Sequence, residues 1–392
     1  MSHDASAPVW TCPKAAGELT GSDLLTLRRE MGIIKSATES KVGTARAPGG
    51  QPKRALPRSG SSAILRDYGI YIMLVLITLA FSFTTKGFAT INNLILILLQ
   101  VSVMGILSVG MLFVILSKGI DLSVGSALAI AGMFSGLLAK QGPTPINIAL
   151  ALAVPLLLGL ACGFLNGYLV SWGGLPPLIV TLGTMYAFRG FIVWYHVNPI
   201  YQLQPWYRVL GQEKFGPIPI PVIILLCVAG VSSLLLNRTR FGRYVYAVGG
   251  NEDAARAAGI NVNLVKLCVY SISGFFCGLA GLVFTSRLGA AQSISGAGFE
   301  MVAIASVVVG GASLFGGRGT VGKTIVGALI MQIVQSGLVM LDVPSPIQQT
   351  ILGFIIILAV WVDLFIQRKE GRKRSGPIQG LFTFTRPKHR KS

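Results

Sequence analysis

Gly317-Arg-Gly-Thr-Val-Gly322-Lys323-Thr324 satisfies the spacing GxxxxGK[ST] of a phosphate-binding loop, and Val360-Trp-Val-Asp363, after an apolar run, imitates the acidic strand end that holds magnesium. Phosphate capture needs a preceding β-strand, bare backbone N–H groups and a helix packed on a soluble parallel sheet. Here Thr324 runs straight into Ile325-Val-Gly-Ala-Leu-Ile-Met331, apolar on every side, and no soluble stretch is long enough for a nucleotide-binding domain. The glycines therefore read as a tight turn before an apolar span, and the chain is expected to carry no ATPase activity or other catalysis of its own.

The remaining candidates for chemistry are sparse. Cys12, Cys162, Cys227, Cys268 and Cys277 show no CxxC spacing and do not cluster with His3, His196 or His389. Neither a zinc site nor a disulfide framework is indicated, and no cofactor is expected. Four of the five cysteines lie in apolar stretches and read as small hydrophobes. Ion-coupled transport would need acidic or His groups deep in the membrane. Asp67, Asp121, Glu300, Asp342 and Asp363 all fall near the ends of apolar stretches, and no histidine lies within one. An ion-coupled secondary transporter of a small polar solute is thus the weaker alternative.

Arg189 is a charge inside an apolar run. At mid-membrane it would cost at least about 2.5 kcal/mol, so either a buried partner meets it or it snorkels to the outer interface; both readings stand. Gln100, Asn166, Thr181 and Gln332, with Asp121 and Ser123, could line a pathway for a hydroxylated solute by offering paired donors and acceptors. Small polar groups also hold transmembrane helices together. No aromatic stacking platform is identifiable, which fits a pore that passes its solute without gripping it.

These side chains must be positioned by membrane-spanning helices. The 392 residues are 52% hydrophobic and 12% charged, against about a quarter charged in soluble domains. The formal charge of +19 sits mostly in two tails: residues 1–66 carry ten basic and five acidic side chains, and residues 367–392 carry nine and one. Such flanks suit anionic inner-leaflet lipids, and nucleic-acid binding is not needed to explain them. Residues 1–63 have the composition of a disordered cytoplasmic tail and lack an apolar core of signal-peptide length.

Between the tails, residues 64–366 hold about ten apolar stretches: Leu65–Phe83, Asn93–Ser117, Leu122–Ala139, Ile146–Val170, Leu178–Tyr195, Pro219–Leu236, Leu264–Ser286, Met301–Leu314, Thr320–Leu341 and Ile347–Ile366. The third and eighth are short and glycine-bearing, which reads either as broken helices along a transport path or as imperfect hydropathy at helix ends. Ten spans put both termini on one side. With the tails cytoplasmic, that side collects 27 basic residues against five outside. A division near Gly211 leaves five spans in each half, so duplicated halves would be inverted. Gly119-Ile-Asp121-Leu-Ser-Val-Gly125-Ser126 and Gly298-Phe-Glu300-Met-Val-Ala-Ile-Ala are faintly alike.

The polar connector 237–263 contains Asn251 as an N-cap, Glu252 and Asp253 in a first turn, and Gly259 at the C′ position. That spells a two-turn helix on the cytoplasmic side. A helix that short is marginal in water, so either its own bundle holds it or its Ala-rich face, including Ala254, Ala255 and Ala258 beside Arg256, enters a partner's groove.

Arg240-Phe-Gly-Arg-Tyr-Val-Tyr-Ala-Val-Gly-Gly-Asn-Glu-Asp-Ala-Ala-Arg-Ala-Ala-Gly-Ile260, with Gly119–Ser126, Pro177-Leu-Ile-Val-Thr-Leu-Gly183 and Gly310-Gly-Ala-Ser-Leu-Phe-Gly-Gly-Arg-Gly319, resembles the permease subunit of ribose/xylose-type sugar ABC importers, in the right order over about residues 65–366. The resemblance implies an all-α polytopic fold in the bacterial inner membrane. It also implies a second permease copy or paralogue, a separate ATPase subunit, and a periplasmic sugar-binding protein that delivers a monosaccharide. By the same resemblance Asn251 to Ala258 is the coupling helix seated on the ATPase. The longer N-tail and the pair Lys323-Thr324 depart from the family pattern.

Overall fold

The computed structural model describes residues 61–374, with side chains from 68 to 365; the segments 1–60 and 375–392, which hold most of both expected tails, lie outside the described residues. The described chain is helical: α1 (Ser61–Thr84), α2 (Ile91–Leu116), α3 (Val124–Ala139), α4 (Pro145–Ser171), α5 (Pro177–Tyr195), α6 (Pro205–Gln212), α7 (Ile220–Arg238), α8 (Arg240–Gly250), α9 (Glu252–Ala257), α10 (Val262–Leu288), α11 (Phe299–Val309), α12 (Val321–Met340) and α13 (Ser345–Arg374). The strands among the described residues are a two-residue antiparallel pair, β1 (Lys214–Phe215) and β2 (Ile218–Pro219), between α6 and α7.

Among the described residues seven helices, α2, α4, α5, α7, α10, α12 and the first 21 residues of α13, are long and apolar enough to cross a membrane. The Tyr68–Thr84 part of α1, α3 and α11 are apolar but shorter. The stretch expected to run from Met301 to Leu314 stops at Val309, where Gly310 and a left-handed Gly311 (φ 81°) turn the chain. The run containing Arg189 is an unbroken helix of 19 residues.

The centre of the bundle is α10, packed on α2, α3 and α4, while α11 and α12 cover another side of α2. From Val101 to Leu116 every residue of α2 is buried, the mark of a helix enclosed by protein on all faces. In a bilayer the hydrophobic effect does not press helices together, and close packing of small residues takes over. That is how α4 meets α10. Of Gly159, Gly163 and Gly167, four residues apart, the first two lie on Gly274 and Gly278 and the third on Leu267 and Tyr270, so a Cβ built on Gly163 would stand 2.9 Å from the Gly274 Cα and one on Gly159 2.6 Å from the Gly278 nitrogen.

Two interruptions organise the rest. Residues 117–123 separate α2 from α3 through a left-handed Lys118 (φ 63°), and residues 310–320 separate α11 from α12. The two faintly similar segments are neighbours: a Cβ on Gly296, just before α11, would stand 3.3 Å from the Cα of Gly125 in the first turn of α3.

Candidate functional site

The connector 237–263 holds a second helix, α8, ahead of the expected two-turn one. Thr239 ends α7 and caps α8, its Oγ1 donating to Leu235 O at 2.6 Å and accepting from Gly242 N at 3.2 Å. The buried set Gly242, Val245, Val248 and Gly249 forms a stripe along α8, a helical periodicity that a scan for long apolar runs passes over.

Local rules then dictate α9. Asn251 Oδ1 accepts from Ala254 N at 3.0 Å, Gly259 takes φ 82°, and Ile260 N returns to Ala255 O at 3.0 Å. Glu252 accepts from Lys266 at 2.8 Å and from Arg256 at 3.5 Å, clasping the short helix to the start of α10. With Glu252 about a third exposed, such pairs contribute roughly 0–1 kcal/mol. Ala255 corrects the expectation: it is 4% exposed and faces its own bundle, because the apolar side of so short a helix is needed to seat it. Asp253, Ala254, Arg256, Ala257, Ala258 and Gly259 are the outward residues.

Behind α9 three chain ends converge. A Cβ on Gly249 would stand 2.6 Å from Gly317 N, and that N–H donates to Leu116 O, the last residue of α2, at 3.0 Å. Tyr246 donates to Gly319 O at 2.8 Å, and burial pushes its phenol above the ordinary range. The end of α8 is thus in direct contact with the α2 terminus and with the loop before α12. The same contacts account for the phosphate-loop spacing. Gly317 and Gly319 form a turn whose Gly317 N–H is spent on Leu116, and Thr324 is fully buried with its hydroxyl on Thr320 O at 3.1 Å.

The proposed pathway residues separate into three places. Asp121, Ser123, Asn166 and Thr181 meet in one buried polar knot at the α2–α3 interruption. Asp121 Oδ1 accepts from Ser123 N at 2.9 Å and Ser123 Oγ at 2.7 Å, Ser273 Oγ of α10 lies 3.4 Å from Oδ2, and Asn166 of α4 donates to Ser123 Oγ at 2.7 Å. Thr181 of α5 and Tyr270 of α10 donate to Ile120 O at 3.2 and 3.3 Å. Asp121 is 1% exposed, so its place at the end of an apolar stretch did not put it near a surface: the interruption itself is enclosed by α4, α5 and α10. These bonds cross between helices, which is what polar side chains do as interhelical glue.

Arg189 stands apart, its Nη1 donating to Ser293 O at 2.6 Å and Ser295 O at 2.8 Å in the α10–α11 connection. Backbone carbonyls are its hydrogen-bond partners. Gln100 lies in the third place. It lines a cavity of about 940 Å3 with residues of α2, α10, α11, α12 and α13, among them Gln332, Gln335, Gln349 and Arg287. Gln100 Oε1 is buried with no hydrogen-bond partner among the described residues, a state that costs about 1–3 kcal/mol. Phe284 and Phe299 also line this cavity, their rings edge to face at 5.5 Å between centroids. An aromatic wall therefore exists; it went unseen because its two rings belong to different helices.

The sequence profile of the family described as "Branched-chain amino acid transport system / permease component" matches residues 93–360. The D-allose transport system permease protein of Escherichia coli K12 is 41% identical over 304 residues, covering 77% of this chain and 92% of that protein. The ribose import permease protein of the same strain is 41% identical over 311 residues, covering 76% and 94%. Its xylose transport system permease protein is 33% identical over 388 residues, covering 81% and 98%. No solved structure matches. With the profile spanning most of the apolar helices and three relatives aligned over nearly their whole lengths, the chain belongs to this family of transport-system permease components.

Proposed function

We propose that this chain is the membrane-spanning permease subunit of an ATP-driven importer for a monosaccharide of the ribose, allose or xylose kind, delivered by a periplasmic binding protein. In this reading α1, α3 and α11 join the seven longer helices to make ten spans in two inverted halves. Both termini and the connector lie in the cytoplasm of a bacterial inner membrane, the basic flanks rest on anionic lipid, and a second permease, identical or paralogous, completes the pathway. ATP hydrolysis belongs to a separate subunit that holds α9.

The observation that carries the reading is the connector's geometry. A capped two-turn helix presents Asp253, Ala254, Ala257 and Ala258 outward, while the helix next to it touches both the α2 end and the 310–320 loop. A push on α9 is therefore delivered to the interruptions on which α3 and α12 begin. Alternating access follows when the partners bind two arrangements of the bundle with different affinity. The relatives' roles in allose, ribose and xylose transport support the cargo class.

Ala254→Trp tests the docking face. An exposed substitution costs the chain itself within about 0.5 kcal/mol but fills any groove that receives α9. Membrane insertion is expected to be normal, while co-purification with the ATPase and sugar uptake fall at least tenfold; Glu252→Lys, which sets a third cation beside Lys266 and Arg256, should act in the same direction. Unimpaired uptake in both variants would discredit the docking assignment.

A further inference from the structure

The cavity that receives Gln100 is placed and lined for more than passage. Resting on the transport reading above, we propose that it is a saccharide-holding site within a single permease chain, selecting neutral polyhydroxylated solutes by an amide floor and an aromatic wall.

Its position follows from helix direction. The connector precedes the first turn of α10, whereas the cavity is lined by Phe284 and Arg287 in the last turns of that helix. It is therefore at the end of the bundle away from α9. Its rim residues, Leu96, Met301, Val339 and Gln349, are exposed, and its depth is buried, with Val103, Met104 and Gln332 at 2%, 4% and 3% exposure. Past Met104, α2 is enclosed without interruption to Leu116. The cavity is thus a funnel open away from the connector and closed toward it.

The lining chemistry selects the ligand. Gln349 at the rim, Gln335 on the wall and Gln332 and Gln100 in the depth step downward across α13, α12 and α2. Each amide offers an acceptor and two donors, the complement of a hydroxyl that is both. The Phe284 and Phe299 rings give the wall that a sugar's C–H face packs on. Arg287, which also lines the cavity, stacks on Phe284 at 5.6 Å and adds a guanidinium donor to this wall. At about 940 Å3 the volume lies at the upper end of ligand pockets, about 300–1,000 Å3, so a monosaccharide shares it with water and is held weakly. Weak, multi-contact holding lets a solute enter and leave, and it discriminates because a solute lacking one hydroxyl leaves a buried amide unpaired.

The test uses the whole transporter, permease with its ATPase and binding protein, in proteoliposomes. D-Ribose, D-allose and D-xylose identify the imported sugar, and its monodeoxy analogues are then compared with it. Gln332→Leu and Gln100→Leu keep the apolar surroundings and remove the amide. Uptake of the parent sugar is expected to fall at least tenfold while ATP hydrolysis stimulated by loaded binding protein stays within twofold. The parent-to-deoxy uptake ratio should fall at least fivefold for one hydroxyl position. The binding protein's own preference cancels from that comparison, and a merely structural role would leave the ratio untouched. An unchanged ratio in both variants overturns the proposal and leaves the transport reading standing; failure of the unaltered complex to import any of the three sugars removes both.

Discussion

In a Gly249→Val chain, ATP hydrolysis by the assembled transporter is expected to persist while sugar uptake falls at least tenfold. The α8 end approaches the α2 terminus and the 310–320 loop backbone to backbone, with a built Cβ 2.6 Å from Gly317 N and 2.9 Å from the Leu116 carbonyl carbon. No side chain is there to give way, so the seam must open. Overpacking of this kind costs about 1–3 kcal/mol, and a tenfold change in a two-state balance needs about 1.4 kcal/mol. α9 lies outside the disturbed contact, so docking of the ATPase survives and only transmission is lost. Gly250 next door has nothing within 4 Å of its built Cβ, which makes Gly250→Ala the matched control with unaltered uptake. Equal uptake by Gly249→Val and Gly250→Ala would remove the seam from the mechanism.

The second large effect concerns assembly of the bundle. Gly163→Val should leave little or no monodisperse protein after detergent extraction, with any remainder melting at least 10 °C lower. Its Cβ would stand 2.9 Å from both the Cα and the nitrogen of Gly274, so α4 must separate from α10 along their most intimate contact. In a bilayer no hydrophobic force restores that contact once backbones cannot approach. Gly183 on α5 has open space around its built Cβ, and Gly183→Ala should extract and melt like the unaltered chain. Normal melting of Gly163→Val, measured by size-exclusion chromatography and thermal unfolding in one detergent, would show that the glycine seam does not hold the bundle.

What could be read from the sequence was what depends on near neighbours. The N-cap at Asn251, the acidic first turn and the left-handed Gly259 are set within nine residues and form as capping rules require. The apolar stretches become helices because length and hydropathy leave a lipid-facing chain no other way to satisfy its backbone. The spurious phosphate loop was dismissed on context, and in the structure its N–H at Gly317 is already engaged.

What could not be read depends on which helices meet. Asp121, Asn166, Thr181 and Ser273 lie on four separate segments and only the packing brings them to one knot, whereas Gln100, expected with them, faces a different cavity. The burial of Asp121 also means that acidic residues alone do not separate ATP-driven from ion-driven transport here. Phe284 and Phe299 are fifteen positions apart, on two helices, and no spacing rule pairs them. Ala255 turned inward because α9 has too few residues to be held by its ends alone. The four-residue spacing of Gly159, Gly163 and Gly167 was legible, but hydropathy weighs a glycine as nearly neutral and so hides a packing surface.

The most direct measurement is uptake of radiolabelled D-ribose, D-allose and D-xylose into proteoliposomes carrying this chain, with its ATPase and binding protein added singly or together. Accumulation of one sugar only when ATP, ATPase and binding protein are all present is the predicted result. Accumulation by the chain alone under a proton or sodium gradient, with no nucleotide-hydrolysing partner, would contradict it.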